Sequence, residues 1–291
     1  MKPTSSFKQK FLASKLSVIG AIWIAIWVFI AVSGPLLRPD PTPYANDQFL
    51  EFSLIGPGSE VIKPNGEEFT YWLGSDRYGR DFLSRLMAGS AISLSVAGVA
   101  VLISLVIGLL LGAIAGYRGG RTDAVISWFL QVVWTVPTLL MVLAITLAFG
   151  KGFWQVFLAI GLTMWVEVAR IVRGQFISMR ELEFVQAARA LGVHDFRIMF
   201  VHMLPNAIGP IIVVAAANFA AAILIESGLS FLGVGAQIPV PSWGNIIKEH
   251  YHLLTSDLAW IAIIPGALIA SLVLAFTWLG DGLRQAFEVN Q

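Results

Sequence analysis

The sequence predicts an all-α integral membrane protein with six transmembrane helices and one polar external segment. Three observations lead there. Hydrophobic residues fill 57% of the 291 positions and charged residues only 13%, where a soluble domain carries about 25% charge. Mean hydropathy is +0.77; apolar surface in that surplus needs lipid as its solvent, because a water-facing surface must stay wetted. Charge-free runs then recur at lengths that suit a hydrocarbon core of roughly 30 Å, which takes about 20 helical residues.

The first run, 16–37, reads as a retained span. It is longer than the h-region of a secretory signal, although Ala31-Val32-Ser33 resembles a cleavage site. The second, 86–117, exceeds one span; the third is 124–150, the fifth 203–225 and the sixth 258–280. The fourth, 152–166, is short and must continue through Glu167 and Arg170 to cross. Those two stand at i,i+3 and can pair on one helix face. A charge at mid-bilayer costs roughly 2.5–3.5 kcal/mol on insertion scales. Both are therefore expected near the cytoplasmic interface or against other protein.

Lys2, Lys8, Lys10 and Lys15 precede the first span, which predicts a cytoplasmic N-terminus. Six spans then bring Arg118, Arg121, Arg170, Arg173, Arg180, Arg189, Arg197, Arg284 and the C-terminus to the same side. Asp40, Asp47, Glu51, Glu60, Glu67, Glu68, Asp76 and Asp81 fall outside. The chain divides into the N-terminus with the first span (1–37), an external segment (38–85), a five-helix core (86–284) with a cytoplasmic loop (174–205), and a cytoplasmic tail (285–291).

In the external segment Pro39, Pro41 and Pro43 bar a helix. Residues 61–72 read as a β-hairpin closed by a tight Asn65-Gly66 turn. Asp76 with Arg80, and Asp81 with Arg85, are spaced i,i+4; on a helix each pair contributes about 0.3–0.5 kcal/mol. The stretch is either a charge-paired elbow into the second span or a solvated interfacial face. In the cytoplasmic loop Leu182, Val185, Ala188 and Leu191 recur at helical spacing. Gly192 stops that helix, and Asp195 can N-cap a second one over 196–204, before Pro205 and Pro210 open the fifth span. A loop this apolar is not a disordered linker.

Glu226 and Ser227 end the fifth span. Gly228, Gly233 and Gly235 beside prolines read as an ordered external loop, re-entrant or simply capping the helix. Ala215, Ala216, Ala217, Ala220, Ala221 and Ala222 give the fifth helix small faces, which serve close packing or line a path. No cysteine is present, which excludes disulfides, thiolate metal sites and cysteine catalysis. A net charge of +1 makes no case for nucleic acid. His250 and His252 at i,i+2 do not share a helix face, and neither they nor His194 and His202 sit in an acidic cluster of the sequence, so no metal is expected. No serine stands in G-x-S-x-G. No G-x-x-x-x-G-K-[ST] loop occurs, Gly150-Lys151-Gly152 lacking its spacing. The expectation is a transport protein, neither an enzyme nor a nucleotide binder.

Residues 183–192, Glu-Phe-Val-Gln-Ala-Ala-Arg-Ala-Leu-Gly, with Leu204-Pro205, resemble the cytoplasmic-loop signature of ATP-binding-cassette (ABC) importer permeases. Gln186 replaces that pattern's Glu, and His202 its Ile. Residues 73–86, 226–233 with 241–244, Pro265-Gly266 and 280–284 are similar to the dipeptide/oligopeptide/nickel branch, specifically its second permease subunit. The outer segment 38–72 looks longer than usual, and Glu288-Val289-Asn290 departs from the branch's acidic-proline tail. The resemblance implies a type I ABC importer permease fold in the bacterial inner membrane. It implies a coupling loop, with Glu183, Gln186, Ala187, Ala188, Arg189, Gly192, Asp195, Leu204 and Pro205 docking on a separate ATPase. It also implies external or pore-mouth positions at Asp76, Arg80, Asp81, Glu226, Ser230, Phe231 and Trp243. The partners it implies are a second permease, two ATPase subunits that bind ATP-Mg, and an external solute-binding protein. Peptides are the implied cargo, with nickel chelates as the alternative. A stand-alone secondary transporter or channel would instead show intramembrane ionisable residues and broken helices at the midplane; Glu167 and Glu226 are expected near span ends, which disfavours it. A non-transporting scaffold has nothing in the sequence to favour it.

Overall fold

The computed structural model describes residues 7–150 and 152–287; the expectations for Lys2, Lys151 and Glu288-Val289-Asn290 lie outside them. In chain order come α1 (Phe7–Ala13), α2 (Lys15–Leu37), β1 (Ser59–Ile62), β2 (Glu68–Tyr71), α3 (Phe82–Arg118), α4 (Gly120–Thr135), α5 (Thr138–Phe149), α6 (Phe153–Met179), α7 (Glu183–Ala190), α8 (Asp195–Arg197), α9 (Leu204–Phe231), α10 (Trp243–His250) and α11 (Trp260–Phe287). Five helical stretches are long and apolar enough to cross a membrane: α2, α3, α6, the run Asp195–Phe231 and α11. The α4–α5 pair makes a sixth, bent by 90°.

That bend corrects the reading of 124–150 as one continuous helix. Val136 is extended (φ −86°, ψ 126°) ahead of Pro137. The proline ring disfavours the α conformation one residue upstream and removes a helical donor.

The centre of the bundle is the parallel pair α3–α6, along which contacts climb both helices together, from Ile103 with Gly161 to Gly116 with Phe176. Gly108, Gly112 and Gly116 recur every four residues on α3. A Cβ on each would stand 2.5 Å from Val168 Cβ, 2.6 Å from the Ala169 carbonyl oxygen and 2.6 Å from Phe176 Cβ, respectively. Gly161 of α6 meets α3 equally closely, 2.7 Å from Ile103 Cβ. In lipid, where the hydrophobic effect does not drive helices together, such small-residue seams supply the backbone approach that packing needs. The sequence reading missed this seam, although the four-residue glycine spacing was its signal.

Around this pair, α9 packs on α11 where buried Ala216 faces Gly280, and through a Phe219–Phe276 stack at 4.8 Å. α2 lies across α11, tied by Trp23 Nε1 to Ser271 Oγ at 3.0 Å and Ser17 Oγ to the Trp278 carbonyl at 2.8 Å. Three buried apolar clusters result among the described residues, the smallest joining Leu130 and Val133 of α4 to Trp165, Val166 and Ala169 of α6; the other two sit toward opposite ends. One, around Phe82, Leu86, Ile160, Ile223 and Trp243, lies toward the β-hairpin end; the other, around Tyr117, Phe176, Val185, Ile198 and Met203, lies toward α7.

The hairpin forms, with β1 and β2 antiparallel and Ile62 opposite Glu68. Its turn is one residue out of the expected register. Gly66 N–H donates to the Lys63 carbonyl (2.8 Å), so Pro64 and Asn65 are the central residues and Gly66, at φ +82°, follows in the left-handed region. Proline's fixed φ suits the first central position of a type I turn, which displaces Asn65-Gly66 from that role.

Candidate functional site

At one end of the bundle α7 stands as a short amphipathic helix. Val185 is buried in the α7-side cluster, with Ala188 and Leu204 packed against it half-buried, while Glu183, Gln186, Ala187, Arg189 and Pro205 are exposed. Gln186 Nε2 reaches the Arg180 carbonyl at 3.3 Å. The helix ends in a Schellman arrangement: Val193 N–H donates to the Ala188 carbonyl (3.1 Å) and Gly192 N–H to that of Arg189 (2.9 Å). Gly192 sits at φ +72° with open space where a Cβ would go. The left-handed backbone, and not crowding, therefore calls for glycine.

Beyond it, two expectations are corrected. Asp195 is not the N-cap of the second helix; His194 is, its Nδ1 accepting from Phe196 N–H at 3.3 Å. Asp195 instead accepts from the Tyr117 hydroxyl of α3 at 2.8 Å, and Arg189 Nε donates to the same hydroxyl at 3.2 Å with its guanidinium over the Tyr117 ring. Nor is 196–204 a separate helix. α8 runs through a π-helical turn, Ile198–Met203, directly into α9. A Pro205 ring in a regular helix would collide with the Val201 carbonyl, and the wider turn relieves that clash. The loop thus presents a rigid unit, keyed to α3 at Tyr117, with apolar side chains turned outward: Leu191 is 82% and Phe196 58% exposed.

At the opposite end the charged elbow forms, without a helix. Arg80, 1% exposed, donates from Nε to Asp76 Oδ2 and from Nη2 to Glu249 Oε2, both at 2.6 Å. Asp76 also accepts from the backbone N–H groups of Tyr78 (2.8 Å) and Arg80 (3.0 Å), which curls the segment into a turn. Asp81 does not pair with Arg85, contrary to the i,i+4 expectation. It N-caps α3, accepting from Ser84 N–H at 2.8 Å, and burial raises its carboxyl above the usual range. Arg85 reaches instead to the carbonyls of Tyr44 and Pro239, 3.1 Å each. His250 is buried beside the elbow: Nδ1–H donates to the Ile246 carbonyl (2.8 Å), Nε2 accepts from Arg77 N–H (3.4 Å), and burial lowers its pKa. Asp76, Glu249 and His250 thus converge, with one oxygen or nitrogen of each within 4.8 Å of the others. Their sequence separation hid this, and the Arg80 guanidinium already lies on both carboxylates.

Next to the elbow, Glu226 is 1% exposed. Its carboxylate accepts from Ser93 of α3 (3.0 Å), Ser230 (2.8 Å) and Ser227 (3.4 Å). Trp243 is buried, with Nε1 on the Leu86 carbonyl at 3.0 Å. Of the seven residues expected at the external face or pore mouth, Asp76, Arg80, Asp81, Glu226, Ser230 and Trp243 are buried in this knot, and Phe231 is exposed. They pin α3, α9 and α10 together.

Two hollows open beside α6 and α9. A cavity of about 260 Å³ opens at the Pro137 bend, lined by Trp134, Pro137, Thr138, Glu167, Ala221 and Ile225 among others. A recess of about 520 Å³ is lined by Ile171, Val213, Ala217 and Gly209, with Arg284 and Phe287 of α11. The alanines of α9 therefore split: Ala216 faces Gly280 of α11, and Ala217 and Ala221 line the hollows. Glu167 corrects another expectation. It lies 14 residues after Phe153 and 12 before Met179 on α6, roughly 21 and 18 Å from the helix ends, and so near its centre. It forms no ion pair with Arg170 among the described residues, because the Arg170 guanidinium stacks on Trp134 at 3.9 Å. An ionised carboxylate facing lipid at this depth costs roughly 2.5–3.5 kcal/mol or more, so this face of α6 belongs against protein or a polar path.

Comparison with known proteins agrees with this geometry. Residues 108–289 match the family described as "Binding-protein-dependent transport system inner membrane component". The dipeptide transport system permease protein DppC of Alkalihalophilus pseudofirmus is 36% identical over 97% of this chain and 88% of its own length. The oligopeptide transport system permease protein OppC of Bacillus subtilis is 33% identical, over 96% and 87%. The glutathione transport system permease protein GsiD of Pectobacterium atrosepticum is 32% identical, over 98% and 91%. Among solved structures, an inward-facing MetNI methionine ABC transporter shares the fold, with a TM-score of 0.58 at 18% identity over 69% of this chain and 95% of that one.

Proposed function

Since the chain belongs to the binding-protein-dependent transport system inner membrane component family, we propose that it is one permease subunit of an ATP-driven peptide importer. It forms half of the translocation path with a second permease, takes cargo from an external solute-binding protein, and is driven by two ATPase subunits that bind ATP-Mg. The relatives named for dipeptide, oligopeptide and glutathione transport support peptides over nickel chelates as cargo. The family is one of transport and not of catalysis, and this chain performs no chemistry of its own. The termini and α7 lie in the cytoplasm; the hairpin and the Arg80 knot lie outside, where lysine-rich and acid-rich segments respectively belong.

The observation that carries the reading is the α7–Gly192–α8 unit. Its outward apolar side chains suit docking on a partner, and its continuity with α9 lets a push on α7 enter a spanning helix without slack. Glu183, Gln186, Ala187, Ala188, Arg189, Gly192 and Asp195 are assigned to that docking unit, with Leu204 and Pro205 at the junction to α9.

The test uses the whole complex in proteoliposomes with its binding protein. Ala188→Trp and Gly192→Pro are each expected to abolish peptide-stimulated ATP hydrolysis; full coupling in both variants would refute the assignment. The bend at Pro137 and mid-span Glu167 are features a stand-alone carrier would also use. Active protein that purifies without an ATPase would favour that second reading.

A further inference from the structure

We propose that Glu167 is a cargo contact within the path: its carboxylate receives the N-terminal ammonium of a passing peptide in the cavity at the Pro137 bend. The inference rests on the permease reading and adds a residue-level selectivity that the reading alone leaves to the binding protein.

Several features converge on this residue. Glu167 is exposed in the chain, near the centre of α6, on the face that opens into the cavity. Arg170, one turn along and the natural partner, is held on Trp134. Thr163, also on the cavity wall, has its hydroxyl committed to the Ala159 carbonyl at 2.7 Å. The rest of the lining is mostly apolar: Val133, Val136, Pro137, Met164, Val166, Ala221 and Ile225. The carboxylate stands among mostly apolar walls with the Arg170 charge near it but not paired to it, an arrangement that selects a cation bringing an apolar body with it. An α-ammonium followed by a peptide backbone is that kind of ligand; a hydrated metal ion, which demands several oxygen donors, is not.

The dimensions agree. About 260 Å³ corresponds to a handful of waters at roughly 30 Å³ each, room for one terminal residue. One turn along each helix, Ile171 of α6 and Ala217 of α9 line a second recess of about 520 Å³, which can take the remainder of an extended chain. Among the described residues that line the recess no carboxylate stands, so the ammonium is read at Glu167 and nowhere further along.

The experiment measures ATP-driven uptake by proteoliposomes containing the complete complex and its binding protein, with tri-alanine and N-acetyl-tri-alanine, both at saturating concentration. Glu167→Gln is expected to slow tri-alanine uptake about tenfold and to leave N-acetyl-tri-alanine uptake and peptide-free ATP hydrolysis unchanged; Glu167→Asp is expected to restore most of the tri-alanine rate. Equal loss for both peptides would overturn the proposal. So would weakened assembly of the complex, which would assign Glu167 to a cation on the second permease, and so would wild-type uptake of both peptides by Glu167→Gln. Those results leave ATP-driven uptake by the wild-type complex intact. Absence of that uptake would overturn the permease reading and this inference with it.

Discussion

Removing Arg80 tests whether the charged elbow is a structural pin. In Arg80→Ala two ion pairs at 2.6 Å disappear together, leaving Asp76 and Glu249 facing each other in a buried site. Breaking a buried pair by deleting one partner costs about 3–5 kcal/mol, most of it the penalty of the uncompensated charge. Two features of the site hold the cost toward the lower end. Asp76 keeps its backbone donors from Tyr78 and residue 80, and Glu249, whose side chain is 10% exposed, can turn toward water. An expected loss of about 3 kcal/mol lowers the melting temperature by roughly 6–12 °C, at about 2–4 °C per kcal/mol for a chain of this size class. Intrinsic tryptophan fluorescence on heating the detergent-purified protein reads it, since Trp243 and Trp260 lie nearby. Arg80→Lys keeps the charge but not the fork that reaches both acids, and should fall between. Adding Glu249→Gln to Arg80→Ala removes one orphaned charge and should recover part of the loss, a coupling of about 0.5–3 kcal/mol. A melting temperature within about 2 °C of wild type for Arg80→Ala would refute the argument.

Two other perturbations follow from the same structure. Gly112→Ile places a branched side chain where a Cβ alone already stands 2.6 Å from the Ala169 carbonyl oxygen; overpacking costs about 1–3 kcal/mol or more, and folded yield in membranes should drop well below that of Gly112→Ala, whereas equal yields would mean α3 and α6 are not in that contact. For His250, burial lowers the folded pKa below that of the unfolded chain, so the unfolded state binds the extra proton first. The contribution to stability is therefore complete above the unfolded value of about 6.5 and is lost as pH falls through the lower folded value. Melting temperature measured from pH 8 to pH 5 should fall more steeply for wild type than for His250→Gln, and parallel profiles would contradict this.

How much of this was legible in the sequence depended on the range of the interaction. The spanning helices were legible because a charge-free run is a local property, and Gly192 because a left-handed helix stop needs only its own backbone. The break at Val136-Pro137 was also locally encoded; the apolar run overrode it in the reading, although proline restricts its neighbour whatever the hydropathy. The Gly108-Gly112-Gly116 seam has a period of four, but what it packs against is supplied by Val168, Ala169 and Phe176 of α6. Other misses were non-local. His194 and Asp195 are both able to cap a helix, and the choice between them was decided by the Tyr117 hydroxyl, 78 positions away. Asp76 and Arg80 have the right spacing for a helical pair, yet they meet in a turn. What makes that meeting a buried pin is Glu249, supplied by α10 from 169 positions away.

The two ends of the molecule make mechanical sense together through α9. Its hairpin-side end is fixed: Glu226 is bonded to Ser93 of α3, and Gly244 of α10 lies so close to Ser227 that a Cβ there would collide with the backbone. Its other end continues the α7–α8 unit, joined by a π-helical turn, a local irregularity of the kind found at functional hinges. From Leu204 to Glu226 the helix is about 33 Å long at about 1.5 Å per residue. A helix held at one end and pushed at the other turns about the held end. A rotation of about 10° would carry Leu204 roughly 6 Å, about the rise of one helical turn, while Ala221, near the pin, moves roughly 1 Å. The recess beside Val213 and Ala217 would therefore widen and narrow far more than the cavity beside Glu167. In the permease proposed above, such a path would open toward the α7 side while the carboxylate contact kept its geometry, with the gate along the α7-side half of α9 and the selective contact where the helix scarcely moves.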